Sequence, residues 1–333
     1  MTPQELTPYL SSLVKNQLQL SLMLWGPPGI GKSSIVAEVA KQNGLELVDL
    51  RLSQLAPTDL RGLPVADNGL SRWFPPEFLP TKGVGILFLD EINMAPPTMQ
   101  GIAQQLILDR KVGSYRVPKG WFIWAAGNRK SDRAAVFEMP SALANRFIHL
   151  DLVPDFESFK AWGFRAGLSE QVLAFLAFRP SLMHQVDTQH PAWPSPRSWF
   201  MAHQLRSAGL SVEPAIGPAA AGEFEAFCSI YKGLPDLEPI LQGKSKSDFP
   251  TEASARYATV LGLIVRAGEV DQAVNALSWV VAKAGAEWVQ FYATDLFRLM
   301  REKGKFGDLA KKISSKADLK DFARNMRDLI FSA

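Results

Sequence analysis

Trp25-Gly26-Pro27-Pro28-Gly29-Ile30-Gly31-Lys32-Ser33-Ser34 is the stretch on which the fold turns. Gly26, Gly31, Lys32 and Ser33 satisfy the phosphate-loop spacing G-x-x-x-x-G-K-[ST]. The glycines let the backbone fold back so that N–H groups converge on anionic oxygens. Pro27 and Pro28 have no N–H, so the cradle must come from the amides of Gly29, Ile30, Gly31, Lys32, Ser33 and Ser34, at a helix N-terminus. Lys32 would meet the β- and γ-phosphates and the Ser33 hydroxyl a Mg²⁺ ion. The alternative is a plain glycine turn between strand and helix, and the flanks decide against it. Leu20 to Trp25 is an apolar run that reads as a buried strand. Ile35, Val36, Val39 and Ala40 follow at helical spacing, with Gly44 as a stop.

Outward from the loop the pattern alternates. Thr2-Pro3-Gln4-Glu5 is a capping box that opens a helix running to about Gln17. Leu45 to Leu52 reads as a second strand. Residues 53–82 are rich in Pro and Gly and too long for a simple connection, as functional segments often are. Val84 to Leu89 has the continuous apolar character of a strand covered on both faces. Pro96 to Leu108 reads as a helix, Lys111 to Val117 as a small hairpin, and Trp121–Ala126 and Phe147–Leu152 as two more strands. Strands alternating with helices predict a doubly wound α/β sheet. From Phe156 onward only helical patterns recur, at about 157–166, 169–178, 197–208, 222–232, 252–267, 270–283, 285–302 and 317–331. Val274, Leu277, Val280 and Val281 form one clear apolar face. Leu234 to Pro250 reads as an exposed, turn-rich loop whose Lys244 and Lys246 are solvated.

Four places beyond the loop can carry chemistry. Ile86-Leu87-Phe88-Leu89-Asp90-Glu91 is an apolar strand ending in two carboxylates, the Walker B arrangement. Asp90 would hold Mg²⁺ and Glu91 would polarise the attacking water; without the loop upstream, two solvated carboxylates would explain the pair equally well. Trp121 to Asn128 is a buried strand ending in an amide that can touch both a γ-phosphate and the attacking water. The plain alternative is a turn-forming Asn after Gly127. Arg146, between a short helix and the last strand, could reach another subunit's γ-phosphate as an arginine finger does, or form a surface salt bridge. Arg197, near the start of a later helix in Pro194-Ser195-Pro196-Arg197, could reach the nucleotide of its own subunit, or simply be solvated.

The bulk numbers narrow the class. The 333 residues, 47% hydrophobic and 21% charged, can bury large cores and are not those of a disordered chain. With 36 basic and 33 acidic residues the net charge of +3 gives no footprint for nucleic acid or an anionic membrane. The single cysteine, Cys228, allows no internal disulfide, which fits a cytoplasmic protein. Neither a signal peptide nor an apolar run of membrane-spanning length is visible.

With these pieces in order, the chain resembles the AAA+ ATPases, and within them the MoxR-type ATPases of the helix-2-insert group, over about residues 20–209. Asp90-Glu91-Ile92-Asn93-Met94-Ala95-Pro96-Pro97 is similar to the MoxR stretch, with Met94 where those proteins usually carry a basic residue. Ala56-Pro57-Thr58-Asp59-Leu60-Arg61-Gly62 resembles the start of the family's insert. The resemblance implies a phosphate-loop AAA+ domain over 1–154, with residues 53–82 as an insert near a ring's pore and a tip near Asn68 and Gly69. A helical lid over 155–209 and an all-helical region over 210–333 would follow. It also implies that Asn128 is sensor 1, Arg146 the arginine finger and Arg197 the sensor 2 residue. Family members usually have Asn-Pro at sensor 1; here Arg129 follows Asn128, so Arg129 and Arg133 are rival trans-acting arginines. The implied activity is hydrolysis of ATP to ADP and phosphate with Mg²⁺, in a homo-oligomeric, hexameric ring that remodels or activates a client protein. The family analogy adds a partner bearing a von Willebrand factor A domain. Two other readings compete: a nucleic-acid-linked motor or defence ATPase, and a nucleotide-locked structural subunit.

Overall fold

The computed structural model describes residues 1–132, 136–187, 189–230, 234 and 236–325. They fall into two compact units, Met1–Ser158 and Phe159–Ala333.

The first unit is built on a five-stranded parallel sheet. Its strands are β1 (Leu22–Trp25), β2 (Glu46–Arg51), β5 (Gly85–Asp90), β8 (Trp121–Gly127) and β9 (Ile148–Asp151), in the order β2-β5-β8-β1-β9. After β1 the chain crosses to the far edge and returns strand by strand; after β8 it passes β1 to add β9 on the other side. The carboxyl end of β1 is therefore a topological switch point, where open α/β sheets bind ligands. Strand alternation divides the core in two. Leu22, Leu24, Ile86, Phe88, Phe122, Trp124 and Ala126 face α1 (Pro3–Lys15) and α2 (Lys32–Gln42), while Met23, Leu87, Leu89, Ile123 and Ala125 face α4 (Pro97–Asp109). Both faces are covered, which explains the continuous apolar runs. The box expected at Thr2 is present: Thr2 Oγ1 accepts from Glu5 N–H at 3.3 Å and Glu5 Oε2 from Thr2 N–H at 2.8 Å, a cap that contributes about 1 kcal/mol. β1 begins later than its apolar run suggests, because Leu20 is 43% exposed and lies before the ladder.

The segment expected as a long irregular insert is ordered. A short helix, α3 (Pro57–Arg61), leads into an antiparallel hairpin of β3 (Leu63–Asp67) and β4 (Leu70–Phe74). The two residues between the strands, Asn68 (φ 50°) and Gly69 (φ 76°), both take the left-handed conformation that two-residue hairpin turns require. One face of the hairpin carries the pairs Leu63–Phe74, Val65–Arg72 and Asp67–Leu70. Leu63 (67%), Leu70 (66%) and Phe74 (55%) are exposed there. The strands escaped the sequence reading because Pro64 and this outward apolar face break the usual alternation. The smaller hairpin, β6 (Lys111–Val112) with β7 (Tyr115–Arg116), lies where expected.

Helix α6 (Phe156–Arg165) spans the boundary between the units, and the second unit is helical throughout its described residues. Helix α7 (Glu170–Phe178), from the stretch read as a lid, packs on α12 (Ala253–Arg266), from the stretch read as the C-terminal region. Helices α8 (Pro196–Ser207), α10 (Pro218–Ile230), α13 (Val270–Lys283) and α14 (Ala286–Glu302) match their patterns to within a few residues. The exposed loop expected over 234–250 is corrected by α11 (Leu237–Leu241), whose Leu237, Ile240 and Leu241 are buried. Helices α9 (Glu213–Ile216) and α15 (Phe306–Ser315) were not anticipated. The last expected helix is present as a 3-10 turn (Ala317–Leu319) followed by α16 (Lys320–Asn325); residues 326–331 lie outside the described residues.

Candidate active site

The loop after β1 ends on α2, whose N-cap is Gly31. Gly31 has φ 95°, a left-handed conformation that lets the chain turn from loop into helix. A Cβ on Gly26 would sit 2.7 Å from the Leu152 carbonyl oxygen, so the loop starts in close contact with the chain leaving β9. Lys32 to Ser34 form the first turn of α2, and amides at a helix N-terminus are groups that can meet an anion. Ile30 is buried and Ser34 exposed.

Lys32 is buried beneath this cradle. Its Nζ donates to the carbonyls of Gly26 (2.6 Å) and Pro27 (3.1 Å) and to Asn128 Oδ1 (2.8 Å). Ser33 Oγ donates to Asp90 Oδ2 at 2.7 Å, and Asp90 Oδ1 accepts from Glu91 N–H at 2.9 Å. Glu91 has φ 54°, unusual for a side chain of its size, and the turn aims it away from the strand. Ser53 Oγ, just beyond β2, donates to Glu91 Oε2 at 3.2 Å. Asp49 on β2 has its carboxyl held above the usual value, first by desolvation, then by Asp90, against the pull of Arg51, with Glu91 adding to the rise. The strand ends thus concentrate negative charge beside a hydroxyl, the hard-oxygen environment Mg²⁺ takes. Among the described residues no group of three or more His, Cys, Asp or Glu side chains could hold a metal alone. Ser33 and Asp90 therefore fit Mg²⁺ as protein ligands completed by phosphate oxygens, its usual manner of binding.

Asn128 stands at the end of β8, where it was expected, and its backbone is clamped. Asn93 Nδ2 donates to the Asn128 carbonyl at 2.6 Å, and Asn128 N–H donates to Asn93 Oδ1 at 3.3 Å. Met94 puts its Sδ 3.8 Å from Asn128 Nδ2. Beside Asn128 a cleft of about 440 Å³ opens, lined among others by Trp25, Asn93, Arg129, His149 and Asp151.

The arginines separate. Arg129 forms an ion pair with Asp151. Arg146, two residues past α5 (Ser141–Ala144), is exposed, and it enters no ion pair among the described residues. Arg133 lies outside the described residues. Arg197 belongs to the second unit, exposed in the first turn of α8, whose cap joins Ser195 and Ser198. The structure thus brings Gly26 to Ser34, Asp90, Glu91 and Asn128 together. Sequence reasoning gave no role to Ser53 or Asn93; a buried Asn between two motifs was the one available signal.

Residues 21–147 match the family model described as the AAA domain of the dynein-related subfamily. With the loop and the sheet order this makes that segment an AAA domain. Midasin from Giardia intestinalis is 30% identical over 145 residues, which is 40% of this chain. The chain spans only 3% of that relative's length. Among solved structures, NtrX from Brucella abortus in complex with ADP is 15% identical, covering 98% of this chain and 68% of that one with a TM-score of 0.43. A point mutant of Thermotoga maritima RuvB is also 15% identical, covering 87% and 86% with a TM-score of 0.41. Among the described residues, no helix is long and apolar enough to cross a membrane.

Proposed function

We propose that this chain hydrolyses ATP to ADP and phosphate with Mg²⁺, works as a homo-oligomeric hexameric ring of the MoxR type, and spends each turnover on remodelling or activating a client protein. The observation that carries the reading is the convergence of Lys32, Ser33, Asp90, Glu91 and Asn128 at one end of the sheet. Lys32 exchanges the Asn128 amide and loop carbonyls for β- and γ-phosphate oxygens. That exchange frees Asn128 to orient the γ-phosphate and the attacking water. Ser33 and Asp90 would hold Mg²⁺, which would neutralise charge developing on the phosphates. Glu91, steadied at Oε2 by Ser53, offers Oε1 to polarise the water. Arg146 completes the site of a neighbouring subunit, and Arg197 and the stretch 155–209 are assigned, on the resemblance alone, to sensing the nucleotide as a lid. The client, a partner with a von Willebrand factor A domain and a cytoplasmic location are proposed on the same footing.

Glu91→Gln is expected to bind ATP and nearly stop turnover, and Lys32→Ala to lose binding as well. Near-normal turnover in Glu91→Gln would overturn the assignment. The competing nucleic-acid motor predicts DNA binding that falls steeply with salt, since phosphate contacts release counterions. The near-balanced charge of +3 argues against it.

A further inference from the structure

His149 is a site-proximal residue to which the proposed reaction assigns no role, and it joins two parts of the machinery. Trp25, the residue before the phosphate loop, donates from Nε1 to His149 Nδ1 at 2.8 Å. The two rings are nearly coplanar in orientation, 10° apart with centroids at 6.0 Å, and Phe147 meets the imidazole edge-on at 6.3 Å. With Nδ1 accepting, the proton of the neutral ring sits on Nε2, which donates to the Ala144 carbonyl at 2.8 Å. Ala144 is the last residue of α5, and its carbonyl also accepts from Phe147 N–H at 3.2 Å, so two donors hold this helix end. Arg146 follows two residues later, its own N–H bonded back to the Leu143 carbonyl at 3.0 Å. On the other side, Trp25 is bonded covalently to Gly26, whose carbonyl accepts from Lys32. A second path runs in parallel: Asn93, which clamps Asn128, accepts on its carbonyl from Phe137 N–H at 2.8 Å, on the approach to α5.

From this geometry we infer that His149 is a positioning residue for Arg146, linking the phosphate loop of its own subunit to the arginine that the subunit presents to its neighbour. The inference rests on Arg146 acting in trans. Neither ring nitrogen of His149 faces the reacting atoms of its own site; one holds Trp25 and the other holds the helix end. Loss of the imidazole takes one of two donors from the Ala144 carbonyl, leaving the Phe147 N–H, and so loosens the turn that carries Arg146. A misplacement of about 1 Å can cost about 10²-fold in rate. The defect belongs to the neighbour's site, while the subunit's own ATP binding stays intact.

Complementation between subunits tests this in the full chain. His149→Ala and Arg146→Ala are assayed alone for ATP affinity and turnover, then each mixed with a large excess of Glu91→Gln, with mixed assemblies checked by sedimentation. In such assemblies most His149→Ala subunits have a Glu91→Gln neighbour that supplies an intact Arg146. His149→Ala alone is expected to keep wild-type ATP affinity and lose about 10-fold to 10²-fold in kcat. Its turnover per variant subunit recovers severalfold in the mixture, as that of Arg146→Ala does. His149→Gln, whose amide can still donate to the Ala144 carbonyl, recovers much of the lost rate without mixing. Wild-type turnover in His149→Ala, weakened ATP binding, or a loss that is not rescued while Arg146→Ala is rescued would each overturn the inference. If Arg146→Ala turns over normally, or neither variant is rescued, or no assemblies form, the trans-acting reading of Arg146 falls, and the positioning role with it.

Discussion

Two buried lysines set the halves of the molecule apart. Lys32 in the first unit is 9% exposed and spends its Nζ on two loop carbonyls and the Asn128 amide, dipoles that phosphate oxygens can replace. Lys160 in the second unit is 1% exposed and meets the Asp295 carboxylate, equally buried, at 2.6 Å, with the Phe291 ring 4.7 Å away. The same side chain serves opposite ends. At Lys32 a charge is held ready for an incoming anion at a topological switch point. At Lys160 it is matched by a permanent counter-charge inside a helical core. Burial of a charge therefore does not mark a site; exchangeable partners at the end of a sheet do.

The sharpest way to break that contrast is to separate rate from stability. Arg146→Ala should lose about 10³ to 10⁵ in turnover, about 4–7 kcal/mol of barrier, with ATP affinity and melting temperature unchanged. Wild-type turnover per subunit should also rise with protein concentration as rings form. Steady-state assays across a dilution series with parallel thermal melts check both. A coincident fall in melting temperature would mean that Arg146 belongs to the fold and not to the neighbour's chemistry.

Lys160→Ala is expected to do the reverse. Removing one partner of a buried pair costs up to about 3–5 kcal/mol; Arg298, 3.9 Å from Asp295 Oδ1, keeps part of the compensation, so Lys160→Ala should fall at or below the low end of that range, and Lys160→Met with Asp295→Leu should cost less. Cys228 offers the readout. It is the only cysteine, 5% exposed, and desolvation pushes its thiol up to about 11, with Arg206 pulling down and Glu225 pushing up more weakly. It therefore reacts with a thiol reagent only when the helical unit opens. Labelling should speed up in Lys160→Ala and stay slow in the double variant. Slow labelling in both would show that the pair is not a stability element.

What the sequence disclosed follows the same division. The loop, the acidic strand end and Asn128 were legible because their chemistry needs particular residue types at fixed local spacing. Ser53, Asn93 and His149 were not, because their partners lie 38, 35 and 124 residues away in the chain. Only the parallel register brings them together. In the second unit long amphipathic helices announced themselves, but α11, five residues with Pro239 inside, is too short to display a period. Phe306, Leu309 and Ile313 recur at helical spacing, so α15 was readable and was overlooked beside its longer neighbours.

The smallest expected effect lies at the hairpin tip. Residues 53–82 are the part of the first unit that most resembles neither lysine's surroundings: ordered, yet with Leu63, Leu70 and Phe74 facing outward. The turn needs left-handed backbone at Asn68 and Gly69, and no atom lies within 4 Å of a Cβ built on Gly69. Asn68→Ser should therefore cost well under about 1 kcal/mol, and Gly69→Ala about 1 kcal/mol of backbone strain confined to the turn. Basal ATPase should survive in both, since the β3–β4 pairing lies outside the residues around Lys32. Client activation should suffer, because the tip is proposed to face the pore. The outward apolar pairs sharpen the point: Leu63→Ser with Phe74→Ser should leave folding and basal turnover intact while client handling falls further. Global unfolding on Asn68→Ser would instead place the hairpin among the elements that hold the first unit together. A full loss of basal turnover would tie it to the nucleotide site. Thermal melts and ATPase assays on the same preparations separate these outcomes.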